Sequence, residues 1–290
     1  MPSAADRYLE LLKKSLLNEL YIENEARLIY MLLCIISRQV VEEEVIRDIS
    51  RLRPEMVEQI RKARREGTPA FTWKIPAEGG GTQAVNLRDV TEFYHTMIGR
   101  PRIDNIHQLL NRVVSEGVAG DLIETGVWRG GATIFMRGFL AAHDIGERNV
   151  WVADSFAGLP DPTLPEDQGI DFSADVHPIL AISKEEVADL FARYDLLDDR
   201  VKFLEGWFKD TLPAAPIEKL ALMRLDGDLY ESTRDALVNL YDRLSPGGFV
   251  IIDDYGDFEG CRRAVDEFRQ QRDITSTLTK IDWSAVWWQK

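Results

Sequence analysis

The chain is short of the residues that disclose a function most quickly. Its two cysteines, Cys34 and Cys261, lie far apart and in no metal-ligand spacing. That excludes a disulfide scaffold and a thiolate metal site, and fits a reducing compartment with both thiols as small buried hydrophobes. The four histidines fall in no metal or triad pattern, and His95 and His177 read as surface or loop residues rather than catalysts. Positive charge is outweighed: 35 lysines and arginines against 49 aspartates and glutamates leave a net charge of −14. Nucleic acid and anionic membranes need a basic face, so neither is expected as a partner. No basic segment followed by an apolar stretch opens the chain, so no secretory signal is expected. The longest apolar run, residues 28–36, has nine residues, against the roughly 20 that span a bilayer. A soluble, cytoplasmic protein acting on a small molecule is the expectation.

What is present begins with a helical front. From residue 4 to about 65 the sequence has no glycine and one proline, Pro54. Leu9, Leu12, Leu16 and Leu20 recur at helical spacing, with Lys13 and Lys14 off that face. Residues 25–45 are apolar almost all round in their first half, which predicts burial or a contact with another subunit. Pro54 suits a helix start, with Glu55 and Glu58 in the favourable first turn. Gly67-Thr68-Pro69 and the glycine-rich residues 76–82 then form the most loop-like segment, read as a mobile boundary. Residues 87–95 read as a short helix. Residues 102–116 read as a longer one, with Ile103, Ile106, Leu109, Leu110 and Val113 on one face.

From residue 121 onward the pattern alternates. Strands are expected at 122–124, 150–153, 201–204, 220–225 and 248–252, and helices at 132–142, 183–194, 232–244 and 260–271. Apolar strands separated by helices predict an α/β fold with a parallel sheet covered on both faces. Residues 277–281 and 285–288 read as a closing hairpin, which Trp283, Trp287 and Trp288 pack or offer to a subunit contact.

In such sheets ligands bind at the carboxyl ends of the strands. The first strand ends in Glu124, followed by Thr125-Gly126-Val127-Trp128-Arg129-Gly130-Gly131. The next ends in Asp154-Ser155, and the later ones in Glu205-Gly206, Asp226-Gly227-Asp228 and Asp253-Asp254. The glycine spacing departs from the G-x-G-x-x-G of a dinucleotide site. Asp154 is placed to accept from ribose hydroxyls, so a nucleoside cofactor is expected. S-adenosylmethionine fits, as a cation without phosphate beside acidic loop ends. Asp226, Asp228, Asp253 and Asp254 would repel one another unless a cation sat among them. All-oxygen ligation suits Mg²⁺, Mn²⁺ or Ca²⁺ rather than zinc. Acidic caps for the following helices are the alternative.

Five ordered motifs carry a resemblance: residues 124–131, Asp154-Ser155-Phe156-x-Gly158-Leu159-Pro160, residues 205–212, residues 224–233 and Ile252-Asp253-Asp254-Tyr255-Gly256. Together they resemble the macrocin O-methyltransferase family, whose members methylate sugar hydroxyls of natural products such as antibiotics. His95-Thr96-Met97-Ile98-Gly99 and Arg102-Ile103-Asp104-Asn105 are similar to it as well. The resemblance implies a Rossmann-like class I methyltransferase sheet, S-adenosylmethionine and Mg²⁺. It implies Asp226, Asp253 and Asp254 as metal ligands and Asp228 as general base. For the cofactor pocket it implies Glu124, Thr125, Gly126, Arg129, Gly130, Gly131, Asp154, Ser155, Gly206, Trp207, Phe208 and Asp226, with Thr96 and Met97 on a loop closing over the cofactor. Residues 86–290 would form the methyltransferase domain, and residues 1–85 a helical N-terminal extension carrying lid and oligomer contacts. The segment 21–91 departs from the family pattern, which leaves the acceptor open between a sugar or polyol and a catechol-like hydroxyl. A nucleotide-dependent oxidoreductase and a non-catalytic scaffold are the rival readings.

Overall fold

The structure, a computed structural model, describes residues 1–68, 71–76, 82–86 and 94–290. The front of the chain is helical as expected: α1 (Ala4–Leu16), α2 (Ile22–Ile36), α3 (Glu43–Arg47), α4 (Ile49–Leu52) and α5 (Pro54–Glu66). Pro54 opens α5, where its missing N–H costs nothing, and Gly67 closes it at φ +68°, a conformation that favours glycine. One face of α2 buries Ile22, Ala26, Ile29, Tyr30 and Cys34 against Val57, Ile60 and Ala63 of α5 and against Val45 and Ile49. Into this apolar layer the chain sets one ion pair, Glu25 with Arg64 at 2.5 Å, both buried, and Asn18 donates to the same carboxylate at 3.0 Å.

The stretch read as a mobile boundary contains a hairpin. β1 (Thr72–Pro76) pairs antiparallel with β2 (Thr82–Asn86), with Thr72 opposite Asn86 and Pro76 opposite Thr82. Pro76, part of that reading, is the last residue of β1, while residues 69–70 and 77–81 lie outside the described residues. Most of the helix expected at 87–95 lies outside the described residues.

The chain divides into two compact units: Met1–Leu9 with Arg102–Lys290, and Glu10–Pro101. The larger unit begins along α6 (Gly99–Ser115), whose Ile103, Ile106, Leu109, Leu110 and Val113 are all buried, as the periodicity requires. Strands and helices then alternate: β3 (Asp121–Thr125), α7 (Gly131–Ala142), β4 (Val150–Asp154), α8 (Lys184–Arg193), β5 (Val201–Glu205), α9 (Phe208–Thr211), β6 (Leu220–Leu225), α10 (Tyr230–Leu240), β7 (Leu244–Ile252), α11 (Glu259–Gln271), β8 (Thr279–Lys280) and β9 (Val286–Gln289).

These strands form one seven-stranded sheet in the order β5-β4-β3-β6-β7-β9-β8. β3 to β7 are parallel, while β9 runs antiparallel between β7 and β8 as part of the closing hairpin. Side chains of β6 are buried throughout, and those of β3 and β4 at all but one end position. That pattern belongs to strands covered on both faces. Trp288 is fully buried in the core, Trp287 packs edge-on against Phe249, and Trp283 stays half-exposed. Successive strands step outward from β3 to β5, then restart on its other side at β6. A crevice opens at the carboxyl ends where the order reverses, between β3 and β6. Among the described residues, no helix is long and apolar enough to cross a membrane.

Candidate active site

Of the acidic residues singled out at strand ends, Glu124, Asp226, Asp228, Asp253 and Asp254 belong to the strands on the β3–β6–β7 side and Asp154 to β4 beside β3. Glu205 is instead exposed at the end of edge strand β5, where it pairs with Lys184 at 2.9 Å. β3 delivers Glu124 and then Gly126, at φ +78°. A Cβ on Gly126 would stand 1.6 Å from the carbonyl oxygen of Asp226, so only glycine lets the loop pass against β6. Gly130, at φ +75°, caps α7, and a side chain there would meet Val187 Cγ1 at 2.8 Å. Thr133 Oγ1 donates to the Gly130 carbonyl at 2.7 Å, and α7 begins at Gly131. Arg129 is buried, with its guanidinium 4.8 Å from the ring centroid of Trp128.

Asp154, at the end of β4, braces this loop. One of its oxygens accepts the Val127 N–H at 2.7 Å and the other the Phe156 N–H at 2.8 Å. Burial pushes its pKa up, while these backbone donors pull it down. Ser155 uses its hydroxyl within its own turn, donating to the Gly158 carbonyl at 2.6 Å. At the end of β5, Gly206 adopts φ +132°, and Trp207 caps the short helix α9. The Phe208 ring reaches within 3.6 Å of where a Gly227 side chain would begin. The turn after β5 therefore touches the loop after β6. Thr96 and Met97 belong to the smaller unit, where they line a cavity beside Arg64 and Tyr94.

The centre of the site is a buried charge ladder. Arg224 lies on β6 and is 1% exposed; its guanidinium pairs with Glu124, Asp226 and Asp253. Arg102, on α6, pairs with the other oxygen of Asp253 and, at 2.7 Å, with Asp282. Asp282 in turn accepts the N–H groups of Ser284 and Ala285 at 2.9 and 2.8 Å, fixing the turn of the closing hairpin. Burial opposes the charge on Arg224, but Asp253, Asp226 and Glu124 outweigh it and hold the guanidinium protonated. Burial has the opposite outcome at Glu124, whose pKa is pushed up to about 8 despite Arg224. Its Oε2 is buried without a hydrogen-bond partner. Such an orphan acceptor suits a cationic or donor group of a ligand.

Asp226 also faces two further carboxylates. Ligand oxygens of Asp226, Asp228 and Asp254 all lie within 4.8 Å of each other. Burial and then repulsion by neighbouring acids raise the pKa of all three: Asp226 to about 6, with Asp253 as the repelling charge, and Asp228 and Asp254 well above the usual carboxylate range, with Asp226 and Asp253 among theirs. The Asp228 N–H donates to Asp254 Oδ2 at 3.0 Å, and Asp228 itself sits at φ +54°. A non-glycine residue in that region stores strain of order 1–3 kcal/mol. An all-oxygen, repulsive trio, with Asp254 buried and Asp226 and Asp228 partly exposed, is a fitting donor set for a hard divalent cation. Asp253, expected beside Asp226 and Asp254 as a ligand, has both oxygens engaged by arginines, and Asp228 completes the trio instead.

Sequence reasoning gave Arg224, Arg102 and Asp282 no role. A signal existed for Arg224, as a lone charge inside the otherwise apolar strand Leu220–Leu225. Arg102 carried one only as part of the family-like segment Arg102-Ile103-Asp104-Asn105, and Asp282 carried none; their pairing was hidden because their partners are remote along the chain.

The comparisons with known proteins agree in kind. Residues 5–290 match the family model described as Macrocin-O-methyltransferase (TylF). The demethyldecarbamoylnovobiocin O-methyltransferase of Streptomyces niveus is 54% identical over 206 residues, covering 70% of this chain and 78% of that protein. The 8-demethyl-8-(2,3-dimethoxy-alpha-L-rhamnosyl)-tetracenomycin-C 4'-O-methyltransferase of Streptomyces olivaceus is 52% identical over 224 residues, 76% of this chain and 85% of its own. Among solved structures, the O-methyltransferase NovP superposes over 99% of both chains with a TM-score of 0.75 at 41% identity. The calicheamicin methyltransferase CalS11 shares the fold, at 18% identity and a TM-score of 0.54 over 81% of this chain and 91% of its own.

Proposed function

The chain belongs to the macrocin O-methyltransferase family, and from that premise we propose that it methylates a hydroxyl on a sugar or polyol moiety of a natural product. It is an S-adenosylmethionine-dependent O-methyltransferase with the class I fold, which removes the oxidoreductase and scaffold readings. The proposal further assigns Mg²⁺ to the carboxylates that meet beside the crevice. The observation that carries it is the trio Asp226, Asp228 and Asp254, on the strand ends next to the glycine loop.

S-adenosylmethionine supplies an electrophilic methyl group on a cationic sulfonium. Glu124, the Gly126–Gly131 loop, Asp154, Ser155 and the Gly206-Trp207-Phe208 turn would hold it. Glu124 Oε2, buried without a partner, would face its positively charged end, a charge that favours the ionised carboxylate. Asp154, held at its strand end by the Val127 and Phe156 N–H groups, would accept from ribose hydroxyls with the lone pairs those donors leave. Thr96 and Met97 carry over on the motif alone.

An alkyl hydroxyl is a weak nucleophile, so its proton must leave as the methyl arrives. Asp226 and Asp254 would hold a divalent cation, which supplies Lewis acidity toward the acceptor hydroxyl. Asp228 accepts the hydroxyl proton, a role that burial favours by raising its proton affinity. Arg224 and Arg102 hold Asp253 in place, and with it the end of β7. A vicinal diol would present two oxygens to such a site, which favours a sugar acceptor and keeps a catechol-like one as the second choice.

The test is methyl transfer from S-adenosylmethionine to demethyldecarbamoylnovobiocin and to rhamnosylated tetracenomycins, with Mg²⁺ and with excess chelator. Activity lost in chelator and restored by Mg²⁺ is expected, and undiminished activity in chelator would sink the cation reading. The Asp228→Asn variant, which keeps an amide oxygen where the carboxylate faced the cation, is expected to keep metal binding but lose about 10²–10⁴-fold in kcat, the scale of general-base catalysis; an unchanged kcat would remove Asp228 as the base. Exposed apolar side chains of the smaller unit, among them Tyr21, Ile35 and Val40, support a homo-oligomer. A monomer by light scattering at micromolar concentration would count against it.

A further inference from the structure

A long connection, residues 155–183, joins β4 to α8, with only short 3₁₀ turns at Pro165–Asp167 and Pro178–Leu180. Loops of that length inside a compact unit usually serve the site. Three of its fastenings involve buried or aromatic groups. Trp128, in the glycine loop, donates its Nε1–H to the Ile179 carbonyl at 2.8 Å. Phe172 packs edge-on against Phe258, just before α11, with centroids 5.5 Å apart. Asp167, 1% exposed, accepts the N–H groups of Tyr230 and Glu231 at 2.7 and 3.1 Å.

The third fastening differs from an ordinary helix cap. N-caps come from the residue just before a helix, and that position of α10 is Leu229, whose side chain makes no cap. The capping carboxylate comes instead from 63 residues upstream. Space has been left for it: a side chain on Gly260 of α11 would stand 2.8 Å from Asp167 Oδ1. The two captured N–H groups begin two residues after Asp228, the strained residue at φ +54°. The strained turn is thus pinned on both sides, by Asp254 at the Asp228 N–H and by Asp167 at the first turn of α10.

We infer that Asp167 is a positioning residue that holds Asp228 in its left-handed conformation, making the 155–183 strap part of the machinery that sets the carboxylate trio. The inference rests on the reading of Asp226, Asp228 and Asp254 as the cation-holding and proton-accepting cluster. Without Asp167, the first turn of α10 loses two acceptor contacts and Asp228 relaxes toward an unstrained backbone, carrying its carboxylate away from Asp226 and Asp254.

The experiment compares the full chain with its Asp167→Ala, Asp167→Asn and Thr163→Ala variants, using Mn²⁺ as the probe and amide hydrogen exchange as a second readout. Asp167→Ala is expected to weaken Mn²⁺ binding by about tenfold, the scale of a lost helix cap, with S-adenosylmethionine affinity within about twofold of the parent. Asp167→Asn, which keeps an acceptor oxygen, restores most of the Mn²⁺ affinity. Thr163→Ala, which removes only the exposed hydrogen bond from the strap to Glu231, changes neither affinity. In exchange, loss of a plain cap frees the Tyr230 and Glu231 amides alone, whereas release of the turn also frees the Asp228 amide. An Asp228 amide still protected in Asp167→Ala overturns the inference, as does an equal loss of Mn²⁺ and S-adenosylmethionine affinity. If the parent chain binds no Mn²⁺, the cation reading fails, and the Asp228 amide alone decides the role of Asp167.

Discussion

At the scale of single residues, Arg224 is the side chain on which the site depends and which does no chemistry. Its guanidinium is the shared partner of Glu124, Asp226 and Asp253, three acids that burial alone would not tolerate as anions. Replacing it with leucine fits the apolar strand but strands those carboxylates. Arg224→Leu is therefore expected to lose about 3–5 kcal/mol in urea denaturation, the cost of breaking a buried pair from one side. A loss below about 1 kcal/mol, the scale of a surface pair, would mean the acids are neutral without it. Glu124 gives a second expectation with a sign. Its folded-state pKa, pushed up to about 8, lies above the ordinary value of 4.5. Between those values the folded chain keeps a proton that the unfolded chain releases, so this contribution to stability is full below about pH 4.5 and lost as pH rises toward 8. Scanning calorimetry should find the melting temperature falling over that window, with a shallower fall in Glu124→Gln. Identical slopes would refute the assignment.

At the scale of elements, the strand–loop–helix unit of β3 and α7 carries the tightest requirement. Gly126→Ala would drive a Cβ to 1.6 Å from the Asp226 carbonyl oxygen and force an unfavourable φ on alanine. A loss of about 4 kcal/mol or more is expected from that mechanism, together with loss of S-adenosylmethionine binding by calorimetry; near-parent values for both would show that β3 and β6 can part without harm. The same unit explains why much of the site was legible. Glu124, Asp154, Asp226 and Asp254 each terminate an apolar run, and in a parallel sheet the ends of such runs converge by topology alone. The pairing of Asp253 was not legible, because Arg102 lies 151 residues away and only the folded path of α6 brings it there. The hairpin of β1 and β2 escaped for a local reason: its strands are short and flanked by glycines and prolines, so breaker residues masked the pairing. Asp167 was hidden for both reasons, as a remote residue inside a stretch that reads as loop.

At the scale of the whole molecule, the sheet has an order of assembly that differs from its order in sequence. β9 follows β8 in the sequence, yet it lies inside the sheet, hydrogen-bonded to β7 on one side and to β8 on the other. Lys290 extends that pairing: its N–H donates to the Gly248 carbonyl, and its carbonyl accepts the Gly247 N–H, each at 2.9 Å. As the polypeptide leaves the ribosome, β3 to β7 can pair in turn, but β7 then presents an open edge, a template for pairing with other chains. β8 has no strand to join until β9 arrives. Ending the chain at Ala285 should therefore yield aggregated rather than merely less stable protein, and supplying the missing strand as a separate peptide during refolding should recover part of the soluble fraction. The interval between the emergence of β7 and of β9 is when the nascent chain most needs a chaperone, and synonymous codons that slow translation there should lower the soluble yield without changing a single residue.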